Sequence, residues 1–182
     1  MRFLRDAVVT IGALLIVTAV IVYAAVARGG LSADERPGAI ERSIARRLVR
    51  LSIPPDAHDQ VNPYGGKTDT WRDAADHFAD HCAVCHGADG RGRTEIGAYM
   101  YPQVPDLADP AIQQMNDGDL FYIIQNGVRW TGMPGWKKEH TPEDTWKLVS
   151  FVRRVPSLTA DDLESMARAE ESQGAPHHHE HK

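Results

Sequence analysis

The pattern of apolar and polar positions changes character twice along the chain. From Ala7 to Ala27 no side chain is charged, and Thr10, Thr18 and Tyr23 are the only mildly polar ones. A helix of that length spans about 30 Å, the thickness of a bilayer's hydrocarbon core. Residues 1–30 are therefore predicted to form a transmembrane helix. Arg2 and Arg5 precede the run, and the positive-inside bias favours a cytoplasmic N-terminus with the remainder exported. The rival is a cleaved signal peptide, since Ala25-Val26-Ala27 has the small-x-small form of a cleavage site. The apolar run exceeds the roughly 7–15 residues of a signal-peptide core, which favours an uncleaved signal-anchor. Both readings export the domain that follows.

Beyond Gly29 and Gly30 the period becomes helical and amphipathic. Ser32 to Glu35 has the form of a capping box, with Ser at the N-cap and Glu three positions on. Ile40, Ile44, Leu48 and Leu51 then recur at helical spacing among Arg42, Arg46, Arg47 and Arg50. The predicted helix ends at Pro54-Pro55. Its apolar face either packs on the domain or meets anionic headgroups or an acidic partner. Pro54 to Asp69 is rich in turn residues and reads as linker, so residues 31–69 are assigned to an amphipathic helix and linker.

A further helix is expected near Thr70, with Thr70 as its cap. Ala74, Ala75, Phe78 and Cys82 fall on one face of it. At the other end, residues 159–182 read as a short acidic helix followed by a tail carrying histidines at His177, His178, His179 and His181. Clustered histidines predict weak binding of copper, zinc or nickel there.

Composition narrows the class. The 182 residues carry a net charge of −5, which argues against a nucleic-acid binder. Four Phe, five Tyr and four Trp make a small aromatic supply. A domain of about 90 residues built from them has a limited core, which a large buried cofactor would extend. The two cysteines cannot form a disulfide framework. Bridged to each other they would close a tiny loop and stabilise little, so they are more plausibly chemical than structural.

Those cysteines stand in Cys82-Ala83-Val84-Cys85-His86, the C-x-x-C-H pattern of c-type haem attachment. One helical turn sets two thiols beside the two vinyl groups of one porphyrin edge, and the next residue projects an imidazole at the iron. A thioredoxin-like dithiol would want a preceding strand, and the context here is helical. A zinc site would want a second ligand pair, and there is no further cysteine. The motif alone has a real chance-match rate, so a second iron ligand is the test. Met133 stands in Asn126 to Trp136, where Gly132, Pro134 and Gly135 keep the backbone non-helical and allow close approach to a ligand plane. Thioether sulfur opposite imidazole makes a low-spin iron pair. Met100 is the runner-up, whereas Met115 lies in a polar run and Met166 on the charged C-terminal helix.

From about Thr70 to Pro156 the chain resembles the class I, single-haem cytochromes c. It is most similar to short bacterial membrane-anchored members like the domains fused to terminal oxidases and dehydrogenases. Phe78, four residues before Cys82, matches the aromatic contact of the family's first helix, and Ala74 matches the small residue where the terminal helices cross. Val104 to Leu107 resembles the Pro-x-Leu element, which implies that the Pro105 carbonyl accepts from the His86 imidazole and fixes its orientation. Asp117 to Val128 resembles the helix before the methionine loop. Thr141 to Val155 resembles the C-terminal helix, with Thr141 at N-cap, Pro142 at N1 and Asp144 at N3, and Leu148 and Phe151 packing on the first helix. The family's lysine ring is not evident; Arg91, Arg93 and Arg129 are the obvious local cations.

The resemblance implies an all-α fold: a small helical domain at 70–158 around one covalently bound haem c, preceded by the transmembrane helix. Cys82 and Cys85 would hold the haem, and His86 and Met133 would be the axial iron ligands. The implied function is a membrane-tethered periplasmic electron carrier at the bacterial inner membrane, with no catalytic residues of its own. It would exchange single electrons with redox partners such as a quinol-oxidising complex, a terminal oxidase or a dehydrogenase. The alternatives are a cytochrome subunit of a larger dehydrogenase or oxidase complex, and a peroxidase-like haem enzyme or gas sensor. The last would use His58, His77, His81 or His140 as distal groups, each read more simply as a surface histidine.

Overall fold

An uncharged apolar run can satisfy its backbone in hydrocarbon only by closing its hydrogen bonds within itself, and the first element does so. The computed structural model describes residues 2–29, 32, 35–67 and 69–173, which fall into two units, Met1–Glu35 and Arg36–Lys182. The first unit is helix α1, Arg2–Gly29. Over Arg2–Arg28 it is long and apolar enough to cross a membrane. Thr10 and Thr18 spend their hydroxyls on the Asp6 and Leu14 carbonyls of the same helix, each at 2.8 Å.

The second unit is helical throughout, with no strand among the described residues. It opens with α2, Ala39–Ser52, whose N-cap is Gly38 with no side-chain cap. The helix thus starts later than the capping-box pattern suggested, and Ser32–Glu35 lies partly outside the described residues. Pro37 supplies the reason: it pushes the residue before it out of the helical region. Ile40, Ile44, Leu48 and Leu51 are all exposed on α2, while the Tyr101 hydroxyl donates to the Glu41 carboxylate.

Much of the Pro54–Asp69 stretch, which composition marks as linker, forms with Ile53 a strap fixed on the helical core. Its one turn of helix is α3, Pro55–His58. Ile53, Ala57 and Asn62 are buried. The Asn62 amide donates to the Trp146 carbonyl at 3.1 Å and to Ser150 Oγ at 2.9 Å, and its own oxygen accepts from Tyr64 N at 2.9 Å. His58 Nδ1 lies 2.8 Å from Asp119 Oδ1.

The next helix is segmented: α4, Thr70–Asp73; α5, Ala75–His81; and α6, Ala83–His86. Asp69, not Thr70, is the N-cap, and Thr70 is buried as the first helical residue. The breaks at Ala74 and Cys82 are slight, because Phe78 N still reaches Ala74 O and His86 N still reaches Cys82 O, at 2.9 and 2.8 Å. Short helices follow at α7, Glu95–Ala98, and α8, Pro110–Gln113, and then come α9, Asp117–Asn126, and α10, Pro142–Arg154.

Helix α10 is the spine of the core. Its start carries the capping box expected at Thr141 and Asp144: Thr141 Oγ1 accepts from Asp144 N at 3.2 Å, and Thr141 N donates to Asp144 Oδ2 at 3.0 Å. Thr145, Leu148, Val149 and Val152 recur at helical spacing and are buried, with Phe151 beside them. They pack with Trp71, Ala74, Ala75, Phe78, Leu107, Leu120 and Val155. Phe121 of α9 stacks on Trp146 with centroids 4.2 Å apart. Arg153 ties the turn before α9 to α10, donating to Asp117 Oδ1 at 2.8 Å and to the Gln113 and Met115 carbonyls.

After a 3₁₀ turn at Val155–Ser157, α11, Ala160–Gln173, docks back on the core. Met166 packs there, and Asp162 accepts from Arg72 at 3.3 Å and Arg154 at 3.1 Å. Both guanidinium groups also lie over the Trp71 ring. The acidic helix is therefore part of the packed domain. The histidine-rich stretch His177–His181 lies outside the described residues.

Candidate functional site

The segmented helix carries the chemistry at its C-terminal end. Cys82 sits at the break between α5 and α6 and Cys85 on α6; both thiols are free and half-buried. Burial first, then the neighbouring Cys85, pushes the Cys82 thiol up to about 12. Dithiol exchange needs a thiolate, so this shift gives a redox dithiol no support.

His86 closes α6, and Gly87 ends the helix at φ 76°. The His86 Nδ1 atom is buried and makes no hydrogen bond within bonding geometry. Burial lowers the pKa of this imidazole, and the Pro105 backbone carbonyl works in the opposite direction. The Pro105 carbonyl therefore lies close to this ring, while the buried Nδ1 has no partner.

Backbone crowding holds the Pro105 carbonyl in place. Gly92 has φ 69°, and a Cβ there would stand 2.7 Å from the Val104 oxygen and 3.1 Å from the Pro105 oxygen. Gly92 N donates to the His86 carbonyl at 2.6 Å, and Leu107 N to the Gly90 carbonyl at 2.9 Å. Thr94 caps α7 through its hydroxyl, which also reaches the Cys85 carbonyl at 3.0 Å. Arg91 pairs with Asp106 at 3.4 Å and is not a free local cation; Arg93 and Arg129 are exposed.

Met133 lies half-buried in the irregular loop after α9. Val128 N donates to the Met133 carbonyl at 3.1 Å, and Met133 N to Thr131 Oγ1 at 3.1 Å. Trp136 N and Lys137 N return to the Ile124 and Gln125 carbonyls, each at 3.1 Å. Gly127, at φ 68°, meets Pro134 and Gly135 so closely that a Cβ would lie 2.5 Å from Pro134 C. Met100 supports the same loop from outside: a Cβ on Gly132 would lie 2.8 Å from its sulfur.

These residues fit a haem c. The set offers two unpaired thiols one turn apart, a buried imidazole whose Nδ1 has no partner, and a thioether on a backbone-bonded loop. One feature escaped the sequence pattern. His140, read as a surface histidine, is 4% exposed and lies against the rings of His77 and His81. The i, i+4 spacing of His77 and His81 was the available signal; nothing in the sequence brings His140 to them.

Over the same residues the chain is similar to known proteins. Residues 69–152 match the family model described as cytochrome c oxidase, cbb3-type, subunit III. Over 79 residues, 43% of this chain, the sequence is 40% identical to the cbb3-type cytochrome c oxidase subunit FixP of Rhizobium meliloti (strain 1021), covering 25% of that protein. The corresponding FixP of Sinorhizobium medicae (strain WSM419) is 45% identical over 79 residues, again 43% of this chain and 25% of that protein. The subunit CcoP of Cereibacter sphaeroides is 32% identical over 75 residues, 41% of this chain and 24% of that protein. The chain therefore spans about a quarter of the length of these relatives.

Proposed function

Given that residues 69–152 belong to the cytochrome c family, we propose that this chain is a membrane-anchored electron-transfer cytochrome that works as a component of a terminal oxidase. A domain of this family binds haem c and carries electrons. One C-x-x-C-H motif makes the load one haem. Cys82 and Cys85 hold it by thioether bonds, and His86 and Met133 hold the iron. Haem so ligated supplies a one-electron couple whose potential the methionine raises.

The observation that carries the reading is the buried, unpartnered His86 Nδ1, on a ring close to the Pro105 carbonyl and directly after the two cysteines. A carbonyl beside the imidazole would orient it as a ligand. With His86 and Met133 both given to the iron, the group would have no place for substrate and would serve electron exchange. The names of the relatives, all oxidase subunits, favour an oxidase component over a freely diffusing shuttle. Helix α1 is the anchor, and Arg2 and Arg5 at its N-terminal end, ahead of the apolar run, favour a haem domain on the periplasmic face. Tethering raises the concentration that a membrane partner experiences.

The test is isolation of the full-length protein from native membranes in mild detergent. Oxidase subunits should co-migrate in fixed ratio, and haem in this chain should be reoxidised by oxygen only in their presence. Recovery as a species free of oxidase, reduced and reoxidised by soluble partners, would return the reading to a shuttle. A high-spin, ligand-binding spectrum would instead support a haem enzyme or gas sensor.

A further inference from the structure

Three imidazoles meet on the side of the domain where α5 faces the start of α10. His77 and His81 stand i, i+4 on α5, so both project from one face. His140 immediately precedes the α10 cap. One nitrogen from each can be chosen such that all three lie within 4.8 Å of one another. The His140 ring sits 5.1 Å from each of the other two, centroid to centroid.

We propose that His77, His81 and His140 form a binding site for one divalent transition-metal ion of the zinc class, separate from the haem. His140 is buried, and neither of its ring nitrogens has a hydrogen-bond partner. A buried imidazole with both nitrogens idle is unusual; among the described residues the other buried side-chain polar atoms without a partner are His86 Nδ1 and Arg154 Nε. Packing alone would be better served by an apolar ring. Burial and the two neighbouring imidazoles lower the pKa of His140, so it is neutral and has a lone pair to give. A tetrahedral zinc with bonds of about 2.0–2.1 Å brings its ligands to roughly 3.3 Å apart, which small rotations of the two half-buried rings on α5 would achieve.

The surroundings suit a cation. Asp144 Oδ1 lies 3.8 Å from His77 Nε2, while its other oxygen caps α10. Carboxylate behind a metal-binding imidazole is the usual outer partner of such sites. Trp136 walls the cluster, its ring 5.1 Å from His81 and 5.4 Å from His140. Trp136 also ends the loop that carries Met133, and His81 adjoins Cys82. A bound ion would therefore join the haem-attachment helix, the methionine loop and the head of α10 at one point.

The histidine-rich C-terminus would bind metal too, so the experiment removes it by substitution. Full-length, haem-loaded protein with His177, His178, His179 and His181 changed to Ala is dialysed against zinc ions and assayed for bound zinc by elemental analysis and calorimetry. About one equivalent should remain, and His77→Ala in that background should weaken binding by more than about 10-fold with the haem spectrum unchanged. His140→Gln should do the same, and His77→Ala carries the test if that variant does not fold. Zinc lost entirely with the C-terminal substitutions, or zinc retained equally in the His77→Ala protein, would overturn the site.

Discussion

Phe78 stacks on Phe151, with ring centroids 4.2 Å apart and planes inclined by 27°. This contact binds the haem-attachment helix to α10, one turn before Cys82. Both rings are almost wholly buried. Phe151→Ala removes the ring from the centre of the core and should cost about 3–5 kcal/mol. Denaturant unfolding of the haem-loaded protein measures it. A loss below about 1 kcal/mol would show that the haem, and not this pair, joins the two helices.

The methionine assignment is open to a direct measurement. Met133→Ala should abolish the near-infrared charge-transfer band of the oxidised protein. It should also lower the reduction potential by on the order of 0.1 V, within the roughly 0.8 V that axial ligands command. Both properties surviving in Met133→Ala, and disappearing in Met100→Ala, would move the ligand to Met100, whose sulfur borders the same loop.

Gly92 and Gly66 both hold positive φ, at 69° and 79°, but only Gly92 is crowded. Gly92→Ala should cost about 1–3 kcal/mol from backbone strain alone. It should also push on the Pro105 carbonyl and so shift the potential by loosening His86. Gly66→Ala meets open space and should leave the potential alone. Equal spectra and potentials for the two variants would remove the claim that Gly92 positions the acceptor.

The docking of α11 should weaken in acid. The Thr159 backbone N–H, then the Thr159 hydroxyl and Arg154, hold the Asp162 carboxyl below its ordinary value of 3.8. Its folded pKa is the lower one, so its contribution is fully present above about pH 3.8 and fades as pH falls through the folded value. Wild-type stability should therefore drop below that point, and Asp162→Asn should be less stable at neutral pH with a flatter acid slope. Circular dichroism across pH 2.5–6, roughly the carboxylate range, distinguishes them; parallel curves would exclude Asp162 as the anchor.

Much of this architecture is written in short-range pattern. The uncharged run of α1, the capping box of α10 and the C-x-x-C-H turn each depend on residues within a few positions. What escaped was long-range. Pro54 to Asp69 looks like linker because Pro, Gly and Asn mark irregular backbone, yet Asn62 reaches across to Trp146 and Ser150, and no local signal reports that. The acidic face of α11 reads as solvated until Arg72 and Arg154 are seen around Asp162. The early start expected for α2 gave local weight to a Ser-to-Glu pattern and too little to Pro37. His140 looks like any loop histidine until α10 carries it to α5.

The loop around Met133 hangs from α9 like a stirrup: Trp136 and Lys137 tie its returning leg to the last turn of that helix, Val128 bonds across it to the Met133 carbonyl, and its legs press together at Gly127 and Gly135. Backbone bonds of this kind restrain the loop independently of the Met133 side chain. With Met133 as the proposed iron ligand, little in the loop would be soft enough to follow a change in charge. The nuclear rearrangement that gates electron hopping would then be small on the methionine side, and electron exchange fast at modest driving force.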